Sequence, residues 1–190
     1  TFQSHYNAII NKSYAMLGFI KRNSADFKDP MTLKCLYISF VRSQLEYCTV
    51  IWNPYHTKYI TMIERVQKNF TKFAINRLNW VDIEPSYIIR RKLLGLQSLT
   101  DRRTSFALLF VYKILSLQID CSILFDLFKH YTPSYNLRTN RIFIEDFHRT
   151  NYSQNEPITR CIHLCNSFQP LLNFNVSESV FKSKLFLLFN

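Results

Sequence analysis

Apolar residues recur along most of this chain with the 3.6-residue period of an α-helix. In the opening segment the period joins Phe2, Tyr6 and Ile9. The pattern predicts an all-α fold, a compact bundle of about six to eight helices. The predicted helices cover about 2–20, 30–50, 57–77, 86–94, 99–118, 123–131, 158–168 and 178–189. The polar segment near 132–157 is predicted to be an irregular loop region, with at most a short strand near 141–147.

Local signals mark where some of these helices start and end. Asp29-Pro30 places an N-cap residue before a proline at the first helical position of the second predicted helix. Asn53-Pro54 ends that helical pattern, because proline disfavours helix at the residue before it. Gly95 is predicted to close the fourth helix. In the second helix the side chains expected to face inward are Leu33, Leu36, Tyr37, Phe40, Val41 and Leu45.

An aromatic stretch, LEYCTVIWNPY, joins the second and third predicted helices at Leu45–Tyr55. We interpret it as a packing corner between them, and the turn at its end aims the third helix. The corner is predicted to consist of Leu45, Tyr47, Val50, Ile51 and Trp52. Tyr55 and His56 offer a less favoured alternative, since exposed rings at a turn can stack on a base or sugar.

The third predicted helix separates apolar from basic residues when it is drawn at 100° per residue. Its apolar face is formed by Tyr59, Met62, Ile63, Val66, Phe70, Phe73 and Ala74. The opposite face carries four basic residues, here called the basic stripe: Lys58, Arg65, Lys68 and Lys72. Only one acid, Glu64, lies between Lys58 and Arg77, so i,i+4 partners do not neutralise the stripe. A solvated charged face remains an alternative, but this imbalance favours a surface for a polyanion.

The charge of the whole chain agrees with a polyanionic partner. The chain has 24 Lys+Arg against 13 Asp+Glu, a net charge of +11. Residues 1–104 carry 16 basic and 7 acidic groups, whereas residues 105–190 carry 8 and 6. Such an excess attracts nucleic acid or, less commonly, an acidic membrane surface, and the remaining alternative is that it only maintains solubility. The further residues assigned to a nucleic-acid surface are Arg42, Arg77, Arg90, Arg91, Lys92, Arg102 and Arg103.

Composition excludes several classes of protein. Hydrophobic residues make up 47% and aromatic residues 16%, which is too rich for a disordered tail. Two glycines are too few for tight-turn β architectures or a Gly-rich phosphate loop. Five cysteines without framework spacing indicate a reduced, intracellular protein of the cytoplasm or nucleus. The longest apolar run, Phe106–Tyr112, is too short to span a bilayer, so no membrane partner is expected. The chain opens on Thr1 rather than Met, so we expect a fragment or a truncated reading frame.

Catalytic and metal-binding patterns are weak. The nearest carboxylate pairs, Glu145-Asp146 and Asp82/Glu84, do not form the adjacent Asp pair that two-metal phosphoryl transfer uses. Cys161-Ile-His163-Leu-Cys165 is a metal-like cluster, but zinc sites usually draw their ligands from two separated pairs. Buried thiols are therefore the favoured interpretation. We expect no cofactor, no bound metal and no enzymatic activity from this chain alone.

The sequence resembles one protein family in the order and spacing of five segments. They are LGFIKR (17–22), LKCLYISFVRSQLEYCTVIWNPY (33–55), IERVQKNFTKFAINR (63–77), YIIRRKLLGLQSLTDRR (87–103) and FVYKIL (110–115). Together they look like the region C-terminal to the catalytic palm in reverse transcriptases of jockey-like non-LTR retrotransposons. The series of motifs LEY…WNPY…IE-x-VQ-x-x-F is specific for this family, because the spacings between several motifs agree at once. The resemblance covers about residues 1–130 and continues more loosely to FKSKL at Phe181–Leu185.

This resemblance implies a division of the chain and a partner. Residues 1–130 would form a thumb-like basic helical domain that grips the backbone of an RNA or DNA template–primer duplex. Residues 131–190 would form a looser C-terminal helical extension. The catalytic aspartates of that family, including an F/Y-A-D-D box, lie upstream and have no match here. The parent protein would be an RNA-directed DNA polymerase, whose palm is a second expected partner.

The alternative is an inert or protein-interacting helical domain with no nucleic-acid role. In that case two apolar faces would be exposed patches. One contains Phe2, Tyr6 and Ile9, and the other contains Phe181, Leu185 and Phe186. A continuous basic face favours nucleic-acid binding, whereas scattered basic residues favour this alternative.

Overall fold

The fold of the chain is all-α, as its apolar periodicity predicts. The computed structural model describes residues 2–24, 26–27, 29–78, 85–132 and 141–189. Within these ranges no strand forms, and the β-type pairing is an isolated antiparallel bridge between His130 and Phe143. The chain divides into two compact units, Thr1–Arg102 and Arg103–Asn190. This division lies earlier in the chain than the boundary expected near residue 130.

The first unit is built from helices α1 to α6 and the start of α7. Their bounds are α1 Gln3–Asn23, α2 Pro30–Tyr37, α3 Ser43–Glu46, α4 Thr49–Trp52, α5 Thr57–Leu78, α6 Tyr87–Leu93 and α7 Leu99–Leu115. A π-helical turn at Ile38–Arg42 joins α2 to α3. The start of α2 is as predicted, because the Asp29 carboxylate accepts hydrogen bonds from the backbone N–H groups of Met31 (3.2 Å) and Thr32 (2.8 Å). A hydrogen bond from the Thr32 hydroxyl, together with these two backbone bonds, holds the pKa of Asp29 below its ordinary value.

The π turn changes which side chains face the core. A π turn closes with an i→i−5 hydrogen bond, here from Ser43 N to the Ile38 carbonyl. The additional residue in the turn keeps side chains four positions apart on the core face, and it rotates Phe40 outward. The expected inward orientation of Phe40 is therefore wrong, since its side chain is 49% exposed. The fully buried residues of this helical segment are Leu33, Tyr37, Val41 and Leu45.

The predicted second helix also ends earlier than expected. Tyr47 is extended and Cys48 is left-handed, with φ of 53°, so the chain turns before α4. The Trp52 indole N–H donates to the Tyr47 carbonyl at 2.7 Å, which directs the backbone of Tyr47, rather than its ring, toward the corner. Leu45 and Trp52 are buried as predicted, but Tyr47 and Ile51 are exposed.

The corner joins three helices. The Trp52 ring centroid lies 5.1 Å from that of His5 and 6.0 Å from that of Tyr6, both on α1. The Tyr6 hydroxyl donates to the Trp52 carbonyl at 2.9 Å, and the Tyr6 ring lies 4.8 Å from that of Tyr59 on α5. Trp52 thus fixes the turn before α5 against α1, as a structural corner would.

Helix α5 crosses the core of the first unit. Phe70 stacks on Tyr37 of α2 with ring centroids 4.1 Å apart and planes 7° apart. The side chains of Ile63, Val66 and Ala74 on the same face are also fully buried. The amphipathic pattern therefore predicts the inner face of this helix correctly.

The second unit has an aromatic core. Its further helices are α8 Ser122–Leu127, α9 Asn151–Gln154, α10 Pro157–Ser167, a 3-10 turn at Gln169–Leu171 and α11 Glu178–Leu188. Tyr112 of α7 stacks on Phe181 of α11 with centroids 4.6 Å apart, and its hydroxyl donates to the Val176 carbonyl at 2.7 Å. Phe143 is fully buried and lies 5.5 Å from Phe128, centroid to centroid. These contacts assemble the unit from short helices.

The strand expected near 141–147 reduces to a single bridge. Tyr131 N donates to the Ile142 carbonyl and Ile144 N to the Lys129 carbonyl, both at 2.9 Å. Asn166 of α10 then holds the segment, because its Oδ1 accepts from the backbone N–H groups of Ile142 and Phe143 at 3.0 Å each. The side-chain amide of Asn166 thus accepts backbone hydrogen bonds that a neighbouring strand would accept in a sheet.

Two further expectations concern membranes and loops. Among the residues the structure describes, no helix has both the length and the apolar character needed to cross a membrane. The carboxylate pair Asp82/Glu84 lies outside the described residues, as does 133–140 of the predicted irregular region.

Candidate nucleic-acid interface

The basic stripe lies on the solvent-exposed face of α5. Its members Lys58, Arg65, Lys68 and Lys72 are all exposed, and the residues opposite them anchor the helix in the core. At about 1.5 Å of rise per residue, the stripe extends for about 21 Å along the helix. Its four charged groups thus form one row whose backbone is held in place by packing.

The single acid of the central part of α5 does not face the stripe. The Glu64 Oε1 atom accepts a hydrogen bond from the Tyr87 hydroxyl of α6, and Oε2 accepts from the backbone N–H of Leu99 at 3.1 Å. Leu99 is the first residue of α7, so the Glu64 carboxylate also satisfies a free N–H at a helix start. Both carboxylate oxygens are occupied inside the unit. Among the described residues, Lys58, Arg65 and Lys68 form no ion pair with a carboxylate.

A buried amide fixes the side of α5 next to Glu64. Gln67 is fully buried, and its Oε1 accepts from the Tyr37 hydroxyl at 3.1 Å. Its Nε2 donates to the Tyr87 hydroxyl at 3.0 Å and to the Gln97 carbonyl at 2.9 Å. Four chain segments are thus linked through one side chain, which sets the rotation of α5 and with it the direction of the stripe.

Tyr87 brings α6 beside the stripe. The Lys68 Nζ lies 5.6 Å from the Tyr87 ring centroid, and the Arg91 guanidinium carbon lies 5.4 Å from it. Cations favour the face of an aromatic ring, so the ring holds two positive groups near each other. Burial, followed by the Glu64 charge, raises the pKa of Tyr87 well above its ordinary value, so its phenol stays neutral. Arg91 also lies 3.9 Å from the Asp101 carboxylate.

Gly95 ends α6 as the sequence predicts. Its φ is 56°, a left-handed conformation that glycine adopts without steric cost. Gly95 N donates to the Lys92 carbonyl at 3.0 Å and Leu96 N to the Arg91 carbonyl at 2.9 Å, the two bonds of a Schellman motif. The Lys92 side chain is exposed in the last turn of α6.

A lysine outside the predicted set, Lys21 of α1, lies beside Arg77 near the C-terminal end of α5. The Lys21 Nζ and the Arg77 guanidinium carbon each lie 5.4 Å from the Phe73 ring centroid. Helices α1 and α5 meet in the same order at Tyr6 with Tyr59 and at Lys21 with Phe73, so they run parallel. Lys21 was missed because this pairing depends on tertiary packing, and no signal in the local sequence reveals it.

The remaining predicted residues lie apart from the exposed surface. Arg90 is buried and donates to the Pro85 carbonyl at 2.6 Å, and Arg103 is buried with 2% exposure. Arg102 forms a two-point pair with Glu46, one bond of which joins Nη2 to Oε2 at 2.9 Å, and Arg42 Nε lies 3.6 Å from the same carboxylate. Burial lowers the pKa of Arg42, and Glu46 offsets part of that change. These four arginines have contacts within the protein, whereas the four residues of the basic stripe are exposed. Their assignment to a nucleic-acid surface stays a prediction.

Comparison of the chain with protein-family models, curated proteins and solved structures found no match.

The second unit contains the predicted cysteine cluster and a carboxylate pair. Among the described residues, no group of three or more His, Cys, Asp and Glu side chains is placed to hold a metal ion. The Glu145 Oε1 atom lies 2.9 Å from the His163 Nδ1 atom, and both residues line an open cavity of about 550 Å³. Cys161 and Cys165 are fully buried, whereas the His163 side chain between them is exposed. The absence of bound metal at the cysteines stays a prediction.

We expect the two buried thiols to be unreactive and to bind no zinc. Burial raises the pKa of Cys161 to about 11 and that of Cys165 further, so both stay protonated at neutral pH, and the thiolate is the form that reacts and ligates. Native protein should therefore react rapidly with a thiol reagent at the exposed Cys35 and Cys48, and slowly at Cys161 and Cys165 until urea is added. Stoichiometric zinc that is lost in Cys165→Ser would contradict this interpretation.

Proposed function

We propose that this chain binds the phosphate backbone of an RNA or DNA duplex through the basic stripe of α5. The observation that carries the proposal is the orientation of α5. Its apolar face is fixed in the core and its Glu64 carboxylate is occupied inside the unit, while Lys58, Arg65 and Lys68 reach solvent without carboxylate partners among the described residues. Arg91 of α6 extends the same positive region, because its guanidinium lies near the same Tyr87 ring as the Lys68 ammonium.

Backbone contacts position a protein on a duplex without reading its sequence. Lysine and arginine side chains in a row suit this task, because each can neutralise one phosphate. The stripe extends for about 21 Å by helical rise, which is the length of about six base-pair steps. Four to six phosphate contacts are therefore within its reach, and binding should depend weakly on base sequence.

We further propose that the chain is a non-catalytic piece of a retrotransposon RNA-directed DNA polymerase. The support is its resemblance to the thumb region of jockey-like reverse transcriptases, together with the absence of an F/Y-A-D-D box from the sequence. In this proposal the chain grips template–primer duplex and the missing palm performs the chemistry. Incorporation of nucleotides on a primed template by this chain alone would contradict it.

The alternative of a protein-interacting domain has less support, because it expected two exposed apolar patches. Its two expected patches are largely internal, since Tyr6, Phe181 and Leu185 are buried. Phe2 is exposed in the first patch, and Phe186 and its neighbour Leu187 are exposed in the second. A single exposed apolar residue such as Phe2 is ordinary on a protein surface.

A salt titration of the unmodified chain tests the proposed binding. We expect the logarithm of the association constant for duplex to fall linearly with the logarithm of salt concentration, with a slope of about −0.9 per phosphate contact. Four contacts correspond to a loss of affinity of about a hundredfold between about 50 and 200 mM salt. Fluorescence anisotropy with two unrelated duplex sequences, as RNA–DNA and as DNA, measures this. Binding that is insensitive to salt or confined to one sequence would overturn the proposal.

A further inference from the structure

The turn before α5 carries an exposed pair of aromatic rings. Tyr55 is 39% exposed and His56 is exposed, and their ring centroids lie 4.1 Å apart with planes at 38°. Among the described residues Tyr55 has its ring contact with His56 and no hydrogen bond, so its hydroxyl is not used by the fold.

The ring pair is held on a rigid base. The His56 carbonyl accepts from the backbone N–H groups of Tyr59 (3.0 Å) and Ile60 (3.2 Å), so His56 is fixed at the start of α5. Its ring lies 6.5 Å from that of the buried Tyr59, which in turn contacts Tyr6 of α1. The turn just before Tyr55 is held by the bonds of Trp52 to α1 and to the Tyr47 carbonyl. The exposed rings of Tyr55 and His56 are therefore in contact with a cluster of buried rings.

The basic stripe begins where this ring pair ends. Lys58, the first residue of the stripe, places its Nζ 5.6 Å from the ring centroid of Tyr59, the same ring that His56 approaches. A row of cations thus leads to two exposed aromatic faces. Proteins that hold single-stranded nucleic acid combine these two elements, with cations along the backbone and rings on which unpaired bases stack.

We propose that Tyr55 and His56 stack with unpaired bases of a strand that continues beyond the duplex held by the basic stripe. The ligand is a junction between duplex and single strand, and it should bind more tightly than a blunt duplex. This inference rests on the proposed function, because the stripe must hold the duplex for an overhang to reach the rings. Paired bases of a blunt duplex are already stacked on their neighbours and present no free face to Tyr55 along its length.

The test compares three ligands with the full chain at one salt concentration. They are a short blunt duplex, the same duplex with a single-stranded overhang of a few thymidines, and the same overhang with abasic sites in place of the bases. The abasic strand keeps the phosphates, so it isolates the contribution of the bases. We expect the thymidine overhang to strengthen binding by about tenfold over the blunt duplex, and the abasic overhang to strengthen it much less.

A double variant, Tyr55→Leu with His56→Gln, removes both ring faces and keeps side chains of similar size. The double variant should bind the blunt duplex as tightly as the parent does, but the thymidine overhang should no longer increase its affinity. The single variant Tyr55→Phe keeps an aromatic ring and should keep this increase. Unchanged circular dichroism confirms folding. The inference is overturned if the abasic overhang strengthens binding as much as the thymidine overhang, or if the double variant keeps the increase in affinity. It is also overturned if the parent binds the blunt duplex and the thymidine overhang adds no affinity, a result that leaves the proposed function standing. Failure of the parent to bind any duplex at low salt overturns both.

Discussion

Reversing Lys68 and Lys72 to Glu is expected to weaken duplex binding by about 10- to 100-fold at low salt and to reduce the slope of its salt dependence by about two. Both side chains are exposed, Lys68 within the stripe and Lys72 at its C-terminal end. Each substitution removes one phosphate contact and adds a carboxylate that repels the backbone. Because fewer counterions are released, the affinity of the variant should change less as salt is added. Anisotropy titrations at several salt concentrations give both quantities.

A matched control separates a specific surface from the net charge. Lys129→Glu with Lys184→Glu changes two exposed lysines of the second unit, so it lowers the net charge of +11 by the same four charges. This control should retain most of the affinity and the parent slope. Equal binding by the two double variants, with equal helicity, would show that the stripe is only a solvated face.

The stripe was predictable because its helix has a simple pattern. Helix α5 is 22 residues long and amphipathic, and its buried residues, such as Ile63, Val66 and Phe70, follow one helical face throughout. When apolar residues fix one face of a regular helix, the direction of every other side chain follows from 100° per residue. The exposure of Lys58, Arg65, Lys68 and Lys72 could be predicted on that basis alone.

The other arginines were harder to place, because charge in a sequence does not reveal tertiary partners. Arg90 lies among basic neighbours, yet its side chain turns inward, where the Pro85 carbonyl and the Thr71 hydroxyl accept its N–H groups. Arg102 finds Glu46, which is distant in sequence. Buried charges are tolerated where such partners exist, and only the fold supplies them.

The π turn was a second feature that the sequence could not reveal. Residues of the segment IleSerPheValArg at Ile38–Arg42 are ordinary in α-helices, and a regular helix would place Phe40 on the same face as Leu33. The fold instead gains four fully buried side chains at a spacing of four residues, from Leu33 to Leu45, and leaves Phe40 at the surface. Packing against α1 and α5 decides between these arrangements.

Truncating Phe70 to Ala is expected to lower the free energy of unfolding of the first unit by about 3–5 kcal/mol. Its ring is fully buried and stacks on Tyr37, so the substitution loses apolar burial and leaves a cavity between α2 and α5. Phe40→Ala removes the same atoms from an exposed position and should cost about 0.5 kcal/mol or less. Urea denaturation followed by circular dichroism and tryptophan fluorescence measures both values.

The comparison of Phe40 with Phe70 tests the π turn itself. Both substitutions are Phe→Ala in a helical segment, so differences in helix propensity are small beside the expected difference in burial. A regular α-helix through Ile38–Arg42 would turn Phe40 into the core, and its truncation would then cost several kcal/mol, on the order of a typical buried Phe→Ala change. A loss in Phe40→Ala as large as that in Phe70→Ala would therefore contradict the π turn, and a loss confined to Phe70→Ala supports it.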